Sequence, residues 1–447
     1  MPGNPVEDPR DLLLAAPMSR FQVLAVGITV LLCALDGYDV LAITFAAPGI
    51  AQEWGTSKAA LGIAMSMGLV GMACGSLLIA PLADIIGRRR MIFITLILMA
   101  TGMTACGLAT NVAQISAWRL VTGLGIGGMV AIINPLAAEY ANGRRRDLAV
   151  ALMGIGYPIG GVLGGSVAAI LLEHYDWPAV FYLGAGAALV MLPICAFSLP
   201  EPIGFLIERP KAGALARVNW FLERCGHPPV NTLPAPTKGR GVPLAEVFRP
   251  ALRGATIAVT AIYLLQVLTV YYYLSWLPQL VADSGFSHTV AVQISVCTNI
   301  GGVVGGLAIG WGAQFLGLRT VVTIGFLGLA AFSTLFALAP ADIDLFRASS
   351  AVAGFFAFAS MIGMYAIIAR TFPARVRATG TGFVIGVGRG GAALAPVLGG
   401  MLFDAGLSRL LVTALMACGA IAAAGVLNRF SLPSTSAANR GMNRLYG

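Results

Sequence analysis

Four charged residues stand inside long apolar runs: Asp36, Asp39, Arg119 and Arg389. A charge at the centre of a membrane helix costs about 2.5–3.5 kcal/mol on insertion scales, so each needs a chemical reason. Asp36 and Asp39 are three residues apart, which puts both carboxylates on one face of a helix. Two carboxylates in a low-dielectric site do not both ionise cheaply, and such a pair suits the uptake and release of a proton. At about 1.5 Å per residue, Asp39 and Arg119 both lie roughly 10–12 Å below the same membrane face. They read either as a proton site, with Arg119 tuning Asp39 and Asp36 assisting, or as a fixed ion pair locking two helices. Arg389 lies roughly 16 Å into its span, near the midplane. Gly386, Gly388, Gly390 and Gly391 leave its approach uncrowded, and no acid in the membrane part of the C-terminal half is placed to neutralise it. Such a guanidinium fits a carboxylate held by two parallel N–H···O bonds. The competing reading pairs it with Asp36 or Asp39.

These residues need a scaffold, and composition restricts it. Of 447 residues, 58% are hydrophobic and only 11% charged, too few to cover a soluble surface. A cytosolic enzyme and a disordered chain are both excluded. The 56 glycines follow no G-X-Y period, so collagen-like structure fails too. Apolar stretches fall near 21–47, 58–80, 91–110, 112–139, 148–172 and 177–199, and again near 254–280, 289–313, 320–339, 345–371, 379–403 and 407–430. Long continuous runs of this kind predict twelve membrane helices and not the short alternating strands of a barrel. The expected organisation is a tail 1–20, a six-helix bundle 21–199, a central loop 200–253, a second bundle 254–430 and a tail 431–447. Glu7, Asp8 and Asp11 near the start argue against a removable signal peptide. Six of the seven cysteines lie in apolar runs and no C-x-x-C spacing occurs, so neither a disulfide framework nor a metal site is expected.

The net charge of +9 is explained by where the charges sit. With the N-terminus cytoplasmic, 23 of the 28 Lys and Arg residues fall in cytoplasmic segments, including Arg88 to Arg90, Arg144 to Arg146 and eight between Arg209 and Arg253. Lys58, Arg347 and Arg409 lie at the opposite face. This asymmetry predicts both termini in the cytoplasm and gives no nucleic-acid footprint. The halves also repeat one another. Phe197-Ser198-Leu199-Pro200 matches Phe430-Ser431-Leu432-Pro433, Arg119 matches Arg347, and the segment from Ala80 matches that from Gly310, at offsets of 233, 228 and 230. A six-plus-six duplication around a basic loop implies two bundles rocking about a midplane site.

The loop Asp84-Ile85-Ile86-Gly87-Arg88-Arg89 resembles the signature between the second and third helices of the major facilitator superfamily. The run from Arg119 to Gly127 is similar to that superfamily's fourth-helix motif. Leu35-Asp36-Gly37-Tyr38-Asp39 and Gly388-Arg389-Gly390-Gly391 resemble, more narrowly, the aromatic acid:proton symporter family. The resemblance implies an all-α major facilitator fold in a bacterial inner membrane, importing aromatic carboxylates such as hydroxybenzoates with protons by alternating access. It implies no cofactor beyond the proton gradient, no enzymatic activity, and as partners an aromatic carboxylate, the proton and the bilayer. A monomer is expected. In sugar:proton porters of related sequence, a Gly-Tyr-Asp also works with a fourth-helix Arg.

An aromatic ligand needs apolar walls and a few polar groups. The seventh span offers Tyr271, Tyr272, Tyr273 and Trp276 as walls, with Tyr263 further in, and the tenth Phe355, Phe356, Phe358 and Tyr365, while Gln266 and Asn299 fit hydrogen bonds to ring hydroxyls. For any one aromatic, packing is the competing role. Asp84, Gly87, Arg88, Arg89, Glu139, Arg145 and Glu201 gather at cytoplasmic helix ends of the first half, and the resemblance implies an ion-pair latch there. Gln314, Arg370 and Ser434 replace its acids in the second half. Glycines at 123–128 and 154–165 suit close helix packing. A proton-coupled exporter of drugs or metabolites is the alternative, as is a symporter of a nonaromatic acid such as a muconate. Arg389 argues for an anion, since exporters of cationic drugs present acids at midplane.

Overall fold

A bilayer core gives backbone N–H and C=O groups no water, so apolar runs close their own hydrogen bonds as helices. The computed structural model describes residues 8–210, 212–235, 244–250, 252–373 and 376–429, and among them are twelve helices long and apolar enough to span a membrane. A short α1 (Pro9–Ala15) precedes the first span, α2 (Arg20–Trp54). The N-terminal bundle continues with α3 (Lys58–Ile86), α4 (Arg88–Gly107), α5 (Val112–Tyr140), α6 (Arg146–Leu171) and α7 (Pro178–Ser198). Then come α8 (Ile203–Glu208), α9 (Ala214–Arg224) and a 3-10 turn at Leu244–Phe248. The C-terminal bundle comprises α10 (Arg253–Ala282), α11 (His288–Leu316), α12 (Leu318–Leu338), α13 (Ile343–Thr371), α14 (Arg377–Asp404) and α15 (Arg409–Arg429). The start of α2, the end of α15 and the central segment share one end of the molecule, the basic end. Phe430 to Pro433, Ser434, Arg375, Lys211, Lys238, Arg240 and the C-terminal arginines of the sequence reading lie outside the described residues.

The helices outrun the hydropathy at two matching places. The second span continues through Pro81 and Asp84 to Ile86, and the eighth to Leu316. Only Gly87 and Gly317 stop them, at φ of 117° and 79°, where a side chain is strained. The next helix then begins at once, so the signature loop is mostly helix with a one-residue hinge. The central segment also holds more structure than a loop. Within α9, Val218, Phe221 and Leu222 form a buried stripe at helical spacing that its polar residues hide from a hydropathy average. Phe221 stacks on Tyr140, with ring centroids 6.2 Å apart, and fastens α9 beneath the N-terminal bundle.

Small residues set the helix spacing. A Cβ on Gly71 of α3 would come within 2.9 Å of the Gly123 Cα on α5, so the two backbones meet through glycine. The α6 glycines serve two partners: Gly156 lies on α2, while Gly161 and Gly165 lie on Asn299 and Val296 of α11, across the boundary between bundles. The other long seam joins α3 to α14. It is tightest at the end opposite the basic one, where a Cβ on Gly400 would meet the Ala59 Cα at 2.9 Å.

Candidate functional site

The first span brings Asp36 and Asp39 to its inward face, and both are buried, at 0% and 1% exposure. Arg119 reaches them from α5 and is equally enclosed at 1%. Its Nη1 donates to the Asp39 carbonyl oxygen at 2.9 Å and lies 3.6 Å from the Asp39 Oδ1. Its Nη2 donates to the Val40 carbonyl at 3.5 Å. A helical carbonyl has a second lone pair to offer, so α2 holds this guanidinium by its backbone as well as by its carboxylate. Gly68 makes the room, because a Cβ there would stand 2.8 Å from Nη2. The Asp39 Oδ1 and both Asp36 oxygens have no hydrogen-bond partner among the described residues. The charged neighbours of Asp36 are Asp39 and, across the seam, Arg389.

Arg389 leaves α14 half-buried and crosses to the other bundle. Its Nη1 donates to the Met72 carbonyl at 3.0 Å and to the Ser76 Oγ at 2.6 Å, both on α3. Ser76 also reaches the Gly127 carbonyl at 3.0 Å, which fixes its hydroxyl. Among the described residues no carboxylate forms an ion pair with Arg389, so it is held by neutral oxygens. Beside it lies a cavity between the bundles, lined by Leu69, Met72, Tyr263, Tyr271, Tyr365 and Arg389 among others. About 50 Å³ of it is open to water, against the ~150 Å³ that takes up benzene in an apolar core. A ring enters only if the bundles part slightly.

The other expected contacts divide. Tyr365 faces this cavity. Tyr272 does not, since its hydroxyl meets Thr413 of α15 at 2.9 Å. Trp276 donates to the Pro396 carbonyl at 3.1 Å and is fully buried against α14. Gln266 is buried inside the C-terminal bundle, its amide donating to Ser360 at 3.1 Å. Asn299 packs on Gly161 at the α6–α11 boundary and donates to Ser295 at 2.9 Å.

At the basic end the latch residues tie together helices of one bundle. Arg88 pairs with Glu139, and more loosely with Asp84 at 3.8 Å. Glu201 accepts the backbone N–H of Arg88 at 2.6 Å and of Arg89 at 3.3 Å. Burial pushes the Glu201 carboxyl up, and those two donors oppose the shift. Gly87 admits it, since a Cβ there would lie 2.9 Å from the Glu201 Oε2. Arg89 turns to the Ala196 carbonyl. Arg145 is exposed and forms no ion pair among the described residues, its backbone N–H donating to the Asn142 Oδ1 at 3.0 Å just before α6.

Some residues were not read from the sequence. Tyr157 lies in the glycine-rich stretch 154–165, which suits packing, and nothing in the sequence singles out Ser76. A seal at the far end joins Lys58 to Asp283, with Asp404 accepting the Lys58 and Ala59 backbone N–H groups at 3.0 and 2.9 Å. Lys58 had a signal: it was one of the few basic residues on the sparse face. The cross-bundle polar contacts among the described residues lie at mid-depth or at this seal.

A model of the Major Facilitator Superfamily matches residues 29–315 and again 259–444. The chain belongs to the major facilitator superfamily. It is 32% identical over 423 residues to a gallate transporter of Pseudomonas putida, covering 93% of each chain. To the 4-hydroxybenzoate transporter PcaK of Pseudomonas aeruginosa it is 31% identical over 429 residues, 94% of this chain and 95% of that one. In fold it is similar to the partially occluded inward-open xylose transporter XylE from E. coli, with a TM-score of 0.74 at 16% identity over 94% of this chain and 99% of that one. This major facilitator is thus a multi-pass inner-membrane secondary transporter and not an enzyme, with relatives that carry aromatic acids. Its two bundles meet around the Arg389 cavity, with Asp36 in the field of Arg389.

Proposed function

We propose that this transporter imports aromatic carboxylates together with protons, with both termini in the cytoplasm. The observation that carries the reading is Arg389: a midplane guanidinium bordering the central cavity, held among the described residues by the Met72 carbonyl and the Ser76 hydroxyl and by no carboxylate. A carboxylate offers it charge-assisted bonds, roughly twice as strong as those to neutral oxygens. Substrate therefore competes with α3 for the arginine. Releasing α3 loosens the seam that must open for the bundles to rock.

The proton belongs at Asp39 in this reading. Arg119 has backbone carbonyls to hold it, so Asp39 can gain or lose a proton without the arginine losing its seat. That supports a titrating site over a fixed lock. Asp36, between Asp39 and Arg389, passes the charge state of one site to the other through the field. With its seal at the end opposite the basic one, the molecule in this reading is closed to the outside and nearer to opening inward.

The test is uptake of radiolabelled 4-hydroxybenzoate into proteoliposomes, with and without an inward proton gradient, competed by aromatic and aliphatic acids. Gradient-driven accumulation that aromatic acids compete is expected. Accumulation competed only by aliphatic acids would replace the substrate class, and efflux driven by the same gradient would replace import.

A further inference from the structure

At the basic end Arg88 is bound by Glu139 and Arg89 by the Ala196 carbonyl. A second group of arginines at that end is held differently. On α9, Arg217, Trp220 and Arg224 follow helical spacing and form an exposed strip beside the buried stripe of Val218, Phe221 and Leu222. The Arg224 guanidinium lies over the Trp220 ring, 5.2 Å from its centroid, and 6.0 Å from that of Phe21. Phe21 is the second residue of the first span, and Trp220 meets it edge-on at 5.8 Å. Arg20, next to Phe21, is exposed as well. Among the described residues none of these three arginines forms an ion pair, not even with the neighbouring Glu223.

From Arg20 onward the same face of α2 carries Val23, Leu24 and Leu31, each about half exposed. Between them stands Gly27, where a Cβ would meet nothing within 4 Å. The first span therefore shows the bilayer a shallow apolar groove that ends at a cluster of guanidiniums. Cation–π attraction holds Arg224 by its faces, which leaves its N–H donors free for an anion. Trp220 is 44% exposed and marks the depth, because indole rings of mixed surroundings settle at headgroup level.

We propose that Arg20, Arg217 and Arg224 bind the phosphate of an anionic phospholipid, with one acyl chain lying along Val23, Leu24, Gly27 and Leu31. The occupant is a lipid and not a free anion, because the cations border an apolar groove that faces the bilayer. Charge complementarity selects an anionic headgroup, since a zwitterionic one brings its own cation to the three arginines. A lipid bound there clamps α9 to the start of α2, and with it the central segment to the N-terminal bundle. The assignment depends on neither the transported substrate nor the proton.

The test titrates phosphatidylglycerol or phosphatidylcholine into the purified full-length chain in detergent micelles, with the shift in thermal unfolding as the readout of binding. Glycerol 3-phosphate, the headgroup phosphate without chains, is the third ligand. Phosphatidylglycerol is expected to bind at least about tenfold tighter than phosphatidylcholine, and glycerol 3-phosphate to give no shift. Arg217→Gln and Arg224→Gln should each cut that preference about fivefold, the share of one arginine near a charged surface. Arg224→Lys keeps the charge and should retain most of the preference. Arg144→Gln, in another exposed basic cluster, should leave it unchanged. Unfolding without added lipid checks that each variant is folded. Equal binding of the two lipids overturns the proposal, as does a preference that neither glutamine variant on α9 moves. An equal loss in Arg144→Gln would mean a diffuse surface potential and overturn the site. A shift from glycerol 3-phosphate as large as that from lipid would make it a free-anion site and overturn the lipid.

Discussion

At matching positions the two halves carry the same turns and different chemistry. Gly87 and Gly317 make the same one-residue hinge at positive φ. After Gly87, Arg88 binds the carboxylates of Glu139 and Glu201, by side chain and backbone. After Gly317, Arg319 instead donates to the Leu427 and Asn428 carbonyls, and Gln314 is exposed. Arg119 is sealed against α2, whereas its counterpart Arg347 has a side chain 43% exposed and pairs with Asp344 in its own first turn. The reverse holds for aromatics: the three tyrosines that line the Arg389 cavity, Tyr263, Tyr271 and Tyr365, all belong to the C-terminal bundle. Duplication supplied two equal scaffolds. Buried ionisable groups then crowd one and the tyrosines of the cavity the other, with Arg389 reaching from the second into the first.

If that division is right, the two halves break transport in different ways. Asp39→Asn should abolish uphill accumulation while leaving substrate counterflow, because the neutral side chain mimics the protonated state. Equal loss of both in proteoliposomes would make Asp39 structural and erase the contrast. Arg389→Ala should weaken substrate binding on the order of 100-fold, from the loss of charge-assisted bonds, whatever the gradient. Unchanged affinity by isothermal titration would place the carboxylate elsewhere.

The scaffold was legible because its signals are collective. Twelve apolar runs each average over many residues, and local errors cancel. The polar core was legible one residue at a time where burial is expensive: Asp36, Asp39, Arg119 and Arg389 announce themselves by their cost. The wall of the cavity was not. Tyr271, Tyr272 and Tyr273 are adjacent in sequence, and helical geometry turns each about 100° from the next, so only one borders the cavity. Which one depends on the rotation of α10 against α14 and α15, and composition does not encode that. Ser76 was hidden for a related reason. A serine in a glycine-rich span has the signature of packing, and only the length of Arg389 reaching across the seam gives it a ligand-like role.

A smaller effect should separate the two basic-end hinges. Glu139→Gln removes the charged partner of a largely buried Arg88, whose side chain is 18% exposed. About 1–2 kcal/mol is then lost from the N-terminal bundle, which corresponds to a fall in Tm of about 2–8 °C for a unit of this size. Gln314→Ala, on the exposed side of the matching hinge, should leave Tm in place. Thermal unfolding in detergent distinguishes them, and equal shifts would mean that the second hinge has a polar network of similar weight.

The far seal should respond least of all. Lys58 and Asp283 form an ion pair with side chains 35% and 34% exposed, and pairs in such positions contribute only about 0–1 kcal/mol. The closeness there comes instead from backbone meeting backbone: Gly400 on Ala59, and Asp404 capping the start of α3. Lys58→Ala should therefore shift the balance between outward-closed and outward-open forms by no more than about fivefold. Maleimide labelling of Ser57→Cys, with and without Lys58→Ala, reads that balance from the sealed side. A much larger rise in labelling would mean that charge, and not glycine packing, keeps this end shut. The N-terminal half would then hold ionic control at both of its ends, one latch within the bundle and one across the seam.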